Sequence, residues 1–236
     1  MLQSYRPGVM ELLAVLFDVD FTLVRPGPEL GPEGYRRLGE RHGLALDPDR
    51  YDAARAAAIA SLKRDPEFRH DDEIWITFTE EIVRGMGGGA EGARACAEEM
   101  TAQWELHHNF ELYEDALPVL GELRRYGLQL GLVSNTGRDL EAFVRHHQLE
   151  VDVAIGSRAH GKTKPDPTIF RAALDQLEVE PERAVMVGDS LEDDVEGAGA
   201  LGMRAILLDR EGRYPEFMPR LEDLYGLPAA LGLVRP

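Results

Sequence analysis

Four short apolar runs in this chain lead, directly or across a loop, into residues that can do chemistry, and a fifth run follows them. The five are residues 12–17 (LLAVLF), 128–133 (LQLGLV), 151–155 (VDVAI), 184–187 (AVMV) and 204–208 (RAILL). They are too continuous to alternate between a dry face and a wet one, so they read as strands buried on both faces, as in a parallel sheet. A helix-patterned segment at 116–126 precedes the second run, and others at 138–147, 167–177 and 191–201 separate the last four. Pro167 stands at a first helical position and Gly202 at a C-terminal stop. Strand alternating with helix at this spacing predicts an α/β fold, a doubly wound, Rossmann-like parallel sheet.

The interval between the first two strands breaks the alternation. From about residue 26 to 110 no strand pattern is visible. Helical pieces at 33–42, 49–64, 72–85 and 92–107 are divided by PGPELGP, LALDP, RDPEFRH and GMGGGAEG. The expected organisation is a catalytic core of residues 1–25 and 111–236, with an inserted α-helical cap domain at 26–110. The opening MLQSYRPGVMELLAVLFDVD runs into charged residues with no small-residue cleavage site, so it is not read as a signal peptide. No apolar run approaches the ~20 residues that span a bilayer. The lone cysteine, Cys96, has no intramolecular disulfide partner, which agrees with a reducing compartment. A soluble, cytoplasmic protein is expected.

Charge narrows the function further. The net charge of −17 repels nucleic acid and anionic membranes, so neither is an expected partner. It repels phosphate esters as well, so a phosphate site here must carry its own positive charge from a metal, a lysine or backbone N–H groups. Lysine occurs only at 63, 162 and 164, two of the three in one short segment.

In an open parallel sheet, ligands bind beyond the carboxyl ends of the strands. Beyond the first run lie Asp18, Asp20 and Thr22; beyond the second, Ser134 and Asn135; across a loop from the third, Lys164; beyond the fourth, Asp189, Asp193 and Asp194. Carboxylates crowded at one edge repel one another unless a divalent cation sits among them, and hard oxygen donors suit Mg2+. A lysine and a hydroxyl beside that cation would neutralise phosphoryl oxygens. Asp18 and Asp20, two apart at a strand end, share a face; one can attack while the other handles protons. Each residue also has an ordinary reading. Ser134 and Asn135 suit helix caps, a lone lysine suits solvent, and Asp193 and Asp194 suit a helix N-terminus.

Taken together, FDVDFTL, SN at 134–135, KPDPTIF and GDSLEDDVEGA resemble the four motifs of the haloacid dehalogenase-like (HAD) hydrolase superfamily, in the subgroup with a helical cap after the first strand. The resemblance covers nearly the whole chain. Phe21 departs from it, standing where glycine is commoner. It implies a phosphatase in which Asp18 attacks phosphorus and forms an aspartyl-phosphate. Asp20 would protonate the leaving oxygen and then activate water. Mg2+ would be held by Asp18, the Asp20 carbonyl, Asp189 and Asp194, with Asp193 as the rival of Asp194. Ser134 and Lys164 would bind phosphoryl oxygens, and Thr22 and Asn135 would support that phosphate site. The implied substrate is a small phosphorylated metabolite, acted on by a monomer or homodimer. Other activities on this framework are a phosphomutase of the β-phosphoglucomutase type, a 2-haloacid dehalogenase, and a non-catalytic binding protein. The dehalogenase needs neither magnesium nor an acid at position 20. In the cap, Arg69, His70, Trp75 and Trp104 are candidate substrate contacts, although packing or solvent exposure explains each as well. The pairs at 107–108 and 146–147 make poor chelates, because adjacent histidines diverge on a helix.

Overall fold

The computed structural model of the chain describes residues 11–233. The expectation about the opening segment falls partly on residues 1–10, which lie outside that range. β1 (Ala14–Phe17) runs into a turn and a short strand, β2 (Val24–Pro26). Four helices follow: α1 (Pro32–Arg41), α2 (Tyr51–Ser61), α3 (Asp72–Gly85) and α4 (Ala90–Gln103). The chain returns through β3 (Phe110–Leu112), α5 (Ala116–Arg125), β4 (Gln129–Ser134), α6 (Leu140–His147), β5 (Val153–Gly156), α7 (Ser157–His160), α8 (Pro167–Leu177) and β6 (Ala184–Gly188). A π-helical turn, Leu191–Glu196, then leads to β7 (Arg204–Leu208) and β8 (Arg220–Leu221).

The main sheet has the order β5-β4-β1-β6-β7-β8, with every neighbouring pair parallel. All four β1 residues are fully buried, as a continuous apolar run requires. Alternation splits them between two faces. Val15 and Phe17 enter one core with Leu120, Leu123, Leu132 and Phe143; Ala14 and Leu16 enter the other with Ile169, Phe170, Leu174 and Met186. Helix α8 shows why the sequence folds locally as it does. The Asp166 carboxylate accepts the Thr168 N–H at 2.9 Å, Pro167 occupies the first turn, and Ile169, Phe170, Ala173, Leu174 and Leu177 form one buried stripe. Burying each large side chain of that stripe stabilises by roughly 1.5–3 kcal/mol.

The segments that enter and leave the helical unit are short strands. β2 pairs antiparallel with β3, Val24 opposite Leu112. With three residues apiece, one of them Pro26, neither carries a readable period. The helices pack against one another, α2 on α3 and α3 on α4, in the interval expected to hold only helices. Among the described residues no helix is long and apolar enough to cross a membrane. Cys96 is fully buried in α4, and burial pushes its thiol up to about 11, an inert packing residue.

Candidate active site

Strand register brings the chemistry together. Phe17 is level with Leu132 on one side and Val187 on the other. Asp18, the next residue, therefore emerges between β4 and β6, one residue short of the level of Ser134 and Asp189. β1 is also where the chain's winding reverses, since later strands lie on both sides of it, the usual place for a ligand crevice. A cavity of about 800 Å³ opens there between the carboxyl edge of the sheet and helices α2–α4. Asp18, Asp20, Ser134, Asn135, Lys164, Asp189, Asp193 and Asp194 all line it.

At its floor, carboxylate oxygens of Asp18, Asp189 and Asp194 lie within 4.8 Å of one another. The Lys164 ammonium, 2% exposed, donates to Asp18 Oδ1 and Asp194 Oδ1, both at 2.6 Å. Burial pushes all three carboxyls above the usual range: Asp18 in direction, with the Asp194 and Asp189 charges adding to it; Asp194 in direction; Asp189 to about 6. Burial alone would pull the lysine down, but the Asp18 and Asp194 charges outweigh it, and it is held in its charged form. Two of the three acids thus share one buried ammonium. Arg213 reaches Asp189 from the surface at 2.9 Å.

The neighbours hold this group in place. The Asn135 side chain clasps the lysine backbone, its Oδ1 accepting the Lys164 N–H at 2.6 Å and its Nδ2 donating to the Lys164 carbonyl at 3.1 Å. Asn135 is therefore a support for the lysine loop. The two adjacent acids of the fourth segment part company. Asp194, 1% exposed, turns inward and accepts the Ser190 N–H at 3.0 Å. Asp193 turns to the helical unit and pairs with Arg64. Gly188 makes room for Asp194: a Cβ there would lie 2.2 Å from the Asp194 Cγ. Thr22, expected at the phosphate, lies elsewhere. It is fully buried, does not line the cavity, and its Oγ1 has no hydrogen-bond partner among the described residues. Its carbonyl accepts from Arg210 at 2.9 Å, and that guanidinium also binds Asp115, which fastens the turn after β1.

Asp20 lies at the cavity wall, with both carboxylate oxygens on Nη2 of Arg138 at 2.5 and 2.6 Å. Sequence reasoning missed Arg138. Its side chain is 1% exposed, stacked 4.0 Å from the Phe110 ring centroid and 5.3 Å from that of Phe143, with Nη1 donating to the Trp104 carbonyl. In SNTGRDLE it reads as the first residue of a helix-patterned segment; the two phenylalanines that bury it come from β3 and α6. Helix α6 opens after Asp139, whose carboxylate accepts the Ala142 N–H, so Arg138 sits before the helix and turns inside.

Phe21 takes φ +62°, a left-handed conformation that costs an L-residue on the order of 1 kcal/mol. Glycine would adopt it freely; the phenylalanine instead projects a ring into the cavity. Of the candidates in the helical unit, Trp75 and Trp104 line the cavity. His70 bridges Ser157 and Asp72 at 2.8 and 2.9 Å, and Arg69 pairs with Asp65 outside. Lys162 donates to the Glu67 carbonyl. That bond, with the Thr163 N–H on the Phe68 carbonyl, docks the α2–α3 loop onto the lysine loop.

The family profile of haloacid dehalogenase-like hydrolases matches residues 12–202. A glyceraldehyde 3-phosphate phosphatase of Methanopyrus kandleri is 31% identical over 218 residues, 89% of each chain. A phosphoserine phosphatase of Thermus thermophilus is 39% identical over 150 residues, 61% of this chain but only 57% of that protein. Among solved structures, a HAD phosphatase from Thermococcus onnurineus is similar with a TM-score of 0.65 at 31% identity, covering 95% of this chain and 100% of that one.

Proposed function

The chain belongs to the haloacid dehalogenase-like hydrolases, and from that premise we propose that it is a phosphatase that hydrolyses small phosphorylated metabolites through an aspartyl-phosphate on Asp18. One observation carries the reading: a buried lysine bridges two carboxylates of a three-carboxylate cluster at the sheet's switch point. Such a cluster is short of positive charge and made of hard oxygen donors, so it fits a divalent cation of the magnesium type. The Asp18 carboxylate, the Asp20 main-chain carbonyl and Asp189 would hold it. Both Asp194 oxygens already accept hydrogen bonds, from Lys164 and Ser190, so Asp194 orients the lysine and adds its charge. When bound, the cation supplies charge neutralisation on the phosphoryl oxygens.

The residues divide the work as follows. Lys164 and the Ser134 hydroxyl receive phosphoryl oxygens, and an Asp18 carboxylate oxygen attacks phosphorus as the ester oxygen departs in line. Asp20 gives that oxygen a proton, then takes one from the water that hydrolyses the acyl phosphate. In the structure Asp20 is engaged by Arg138, so its proton-transfer work requires the carboxylate to turn from the guanidinium into the cavity. Helices α2–α4 serve as the cap that keeps bulk water out.

Phosphate release from a panel of phosphomonoesters is the test, run with Mg2+, with chelator, and with Asp18→Asn. Turnover is expected with Mg2+ alone, and the variant loses roughly 10³-fold or more in kcat. Activity that survives both chelator and the substitution, or halide release from 2-haloacids in place of phosphate release, overturns the reading.

A further inference from the structure

The cavity is far larger than one phosphoryl group needs, and its cations are unevenly used. Lys164, Arg64, Arg138, Arg158 and Arg213 each engage a carboxylate. Arg55, on α2, engages none among the described residues. It is half-buried, lines the cavity, and its Cζ lies 5.3 Å from the centroid of the Phe21 ring. That ring is the one held at positive φ. A strained backbone thus places an aromatic face beneath a guanidinium that keeps its hydrogen-bond donors unspent. Tyr51, Trp75 and Phe78 line the same cavity, and none of them hydrogen-bonds the guanidinium among the described residues. In a chain of net charge −17, with carboxylates on the other cavity cations, a lone unclaimed arginine facing a void is an anion receptor.

We propose that Arg55, stacked on Phe21, forms a second anion subsite, and that the preferred substrates are phosphate monoesters whose leaving group carries a second anionic group, a carboxylate or another phosphoryl. The inference rests on the phosphatase reading and deepens it. Asp18 and Lys164 take the reacting phosphoryl at the sheet edge, Arg55 takes the far anion from the helical side, and the aromatic wall covers the carbon between them. Because Arg55 sits on α2 and Phe21 on the turn after β1, an ester gripped at both ends ties the helical unit to the core.

A matched set of aryl esters tests it: 3-carboxyphenyl phosphate, its neutral isostere 3-carbamoylphenyl phosphate, and 1,3-phenylene bisphosphate, assayed on the full chain with Mg2+. The wild type is expected to favour the carboxylate or the bisphosphate over the amide by roughly tenfold or more in kcat/KM, mainly through KM. Whichever of the two is favoured identifies the anion. Arg55→Met should bring the ratio to within about twofold of one, and Arg55→Lys should keep part of it. A wild-type ratio near one, or a ratio unchanged in Arg55→Met, overturns the subsite. Calorimetry with Asp18→Asn and the same esters reads the subsite without turnover. Tighter binding of the charged member, abolished by adding Arg55→Met, supports it; equal binding overturns it. If no ester is hydrolysed, the phosphatase reading falls while the calorimetry still decides the subsite.

Discussion

Asp189 holds its proton up to about 6 because burial and the Asp194 charge outweigh the pull of Arg213. An ordinary aspartate in the unfolded chain releases its proton near 3.9. Between those values the folded protein binds more protons than the unfolded one, so metal-free stability falls as pH rises from about 4 to about 6. Asp18 and Asp194 push in the same direction. A divalent cation competes with those protons, so it should raise Tm little at pH 5 and progressively more above pH 6. The measurement is a thermal melt across pH with and without Mg2+, on wild type and Asp189→Asn. The variant should show a shallower metal-free slope and most of the magnesium-induced shift should vanish; identical slopes and shifts would rule out Asp189 as part of the cation site. At this same scale, sequence and structure part in instructive ways. Asp18, Lys164 and Asp189 were legible because each lies at or beyond the end of an apolar run. Arg138 was not, because its burial depends on Phe110, distant in sequence, and on a turn before α6 that folds it back onto Phe143. Thr22 drew attention as a residue beyond the first apolar run, yet the turn at Phe21 rotates it into the interior.

The strands were readable as elements, since burial on both faces leaves an unbroken apolar run, and the helices showed through their caps and stripes. The segment after β6 was read as a plain helix, and that reading could not separate Asp193 from Asp194. The chain instead makes a π turn over Leu191–Glu196, opened by Ser190 Oγ accepting the Asp193 N–H at 3.1 Å. One acid then faces the helical unit and the other the core, a division tied to local geometry. Gly188 is the condition for it. Its φ is not positive, so alanine is compatible with the backbone there, and the obstacle is the Asp194 side chain at 2.2 Å. Asp194 is pinned by Lys164 and Ser190 and has nowhere near to go. Gly188→Ala should therefore displace Asp194, loosen the lysine and lower kcat/KM by about tenfold or more, while overpacking costs roughly 1–3 kcal/mol of stability. Steady-state kinetics beside a denaturant melt checks both, and a variant that melts early yet keeps full kcat/KM would show that the lysine does not depend on Asp194. β2 and β3 escaped notice for a simpler reason: a three-residue pair with proline and arginine in it has no period to detect.

Across the whole molecule, charge sets a problem that the site must solve locally. The net −17 field opposes the approach of any phosphate ester, whereas the cations that would grip it in the proposed site line one cavity. These two effects respond differently to salt. The Debye length falls from about 30 Å at 0.01 M to about 8 Å at 0.15 M ionic strength, so added salt screens the long-range repulsion first and leaves contacts inside a partly dry cavity much less changed. At constant free Mg2+, kcat/KM for an anionic ester should thus rise by a few-fold over that range, while kcat, measured after the substrate is bound, stays nearly flat. Arg64–Asp193 and Arg158–Glu105, half-exposed pairs that link the helical unit to the core, contribute only about 0.2–1 kcal/mol each and would weaken together in salt. Above that range the loosening should lower kcat, so kcat and kcat/KM read separately distinguish substrate approach from the docking of the helical unit. A kcat/KM that falls steadily with salt would mean that attraction to the cavity's own cations, not the charge of the whole chain, governs how substrate arrives.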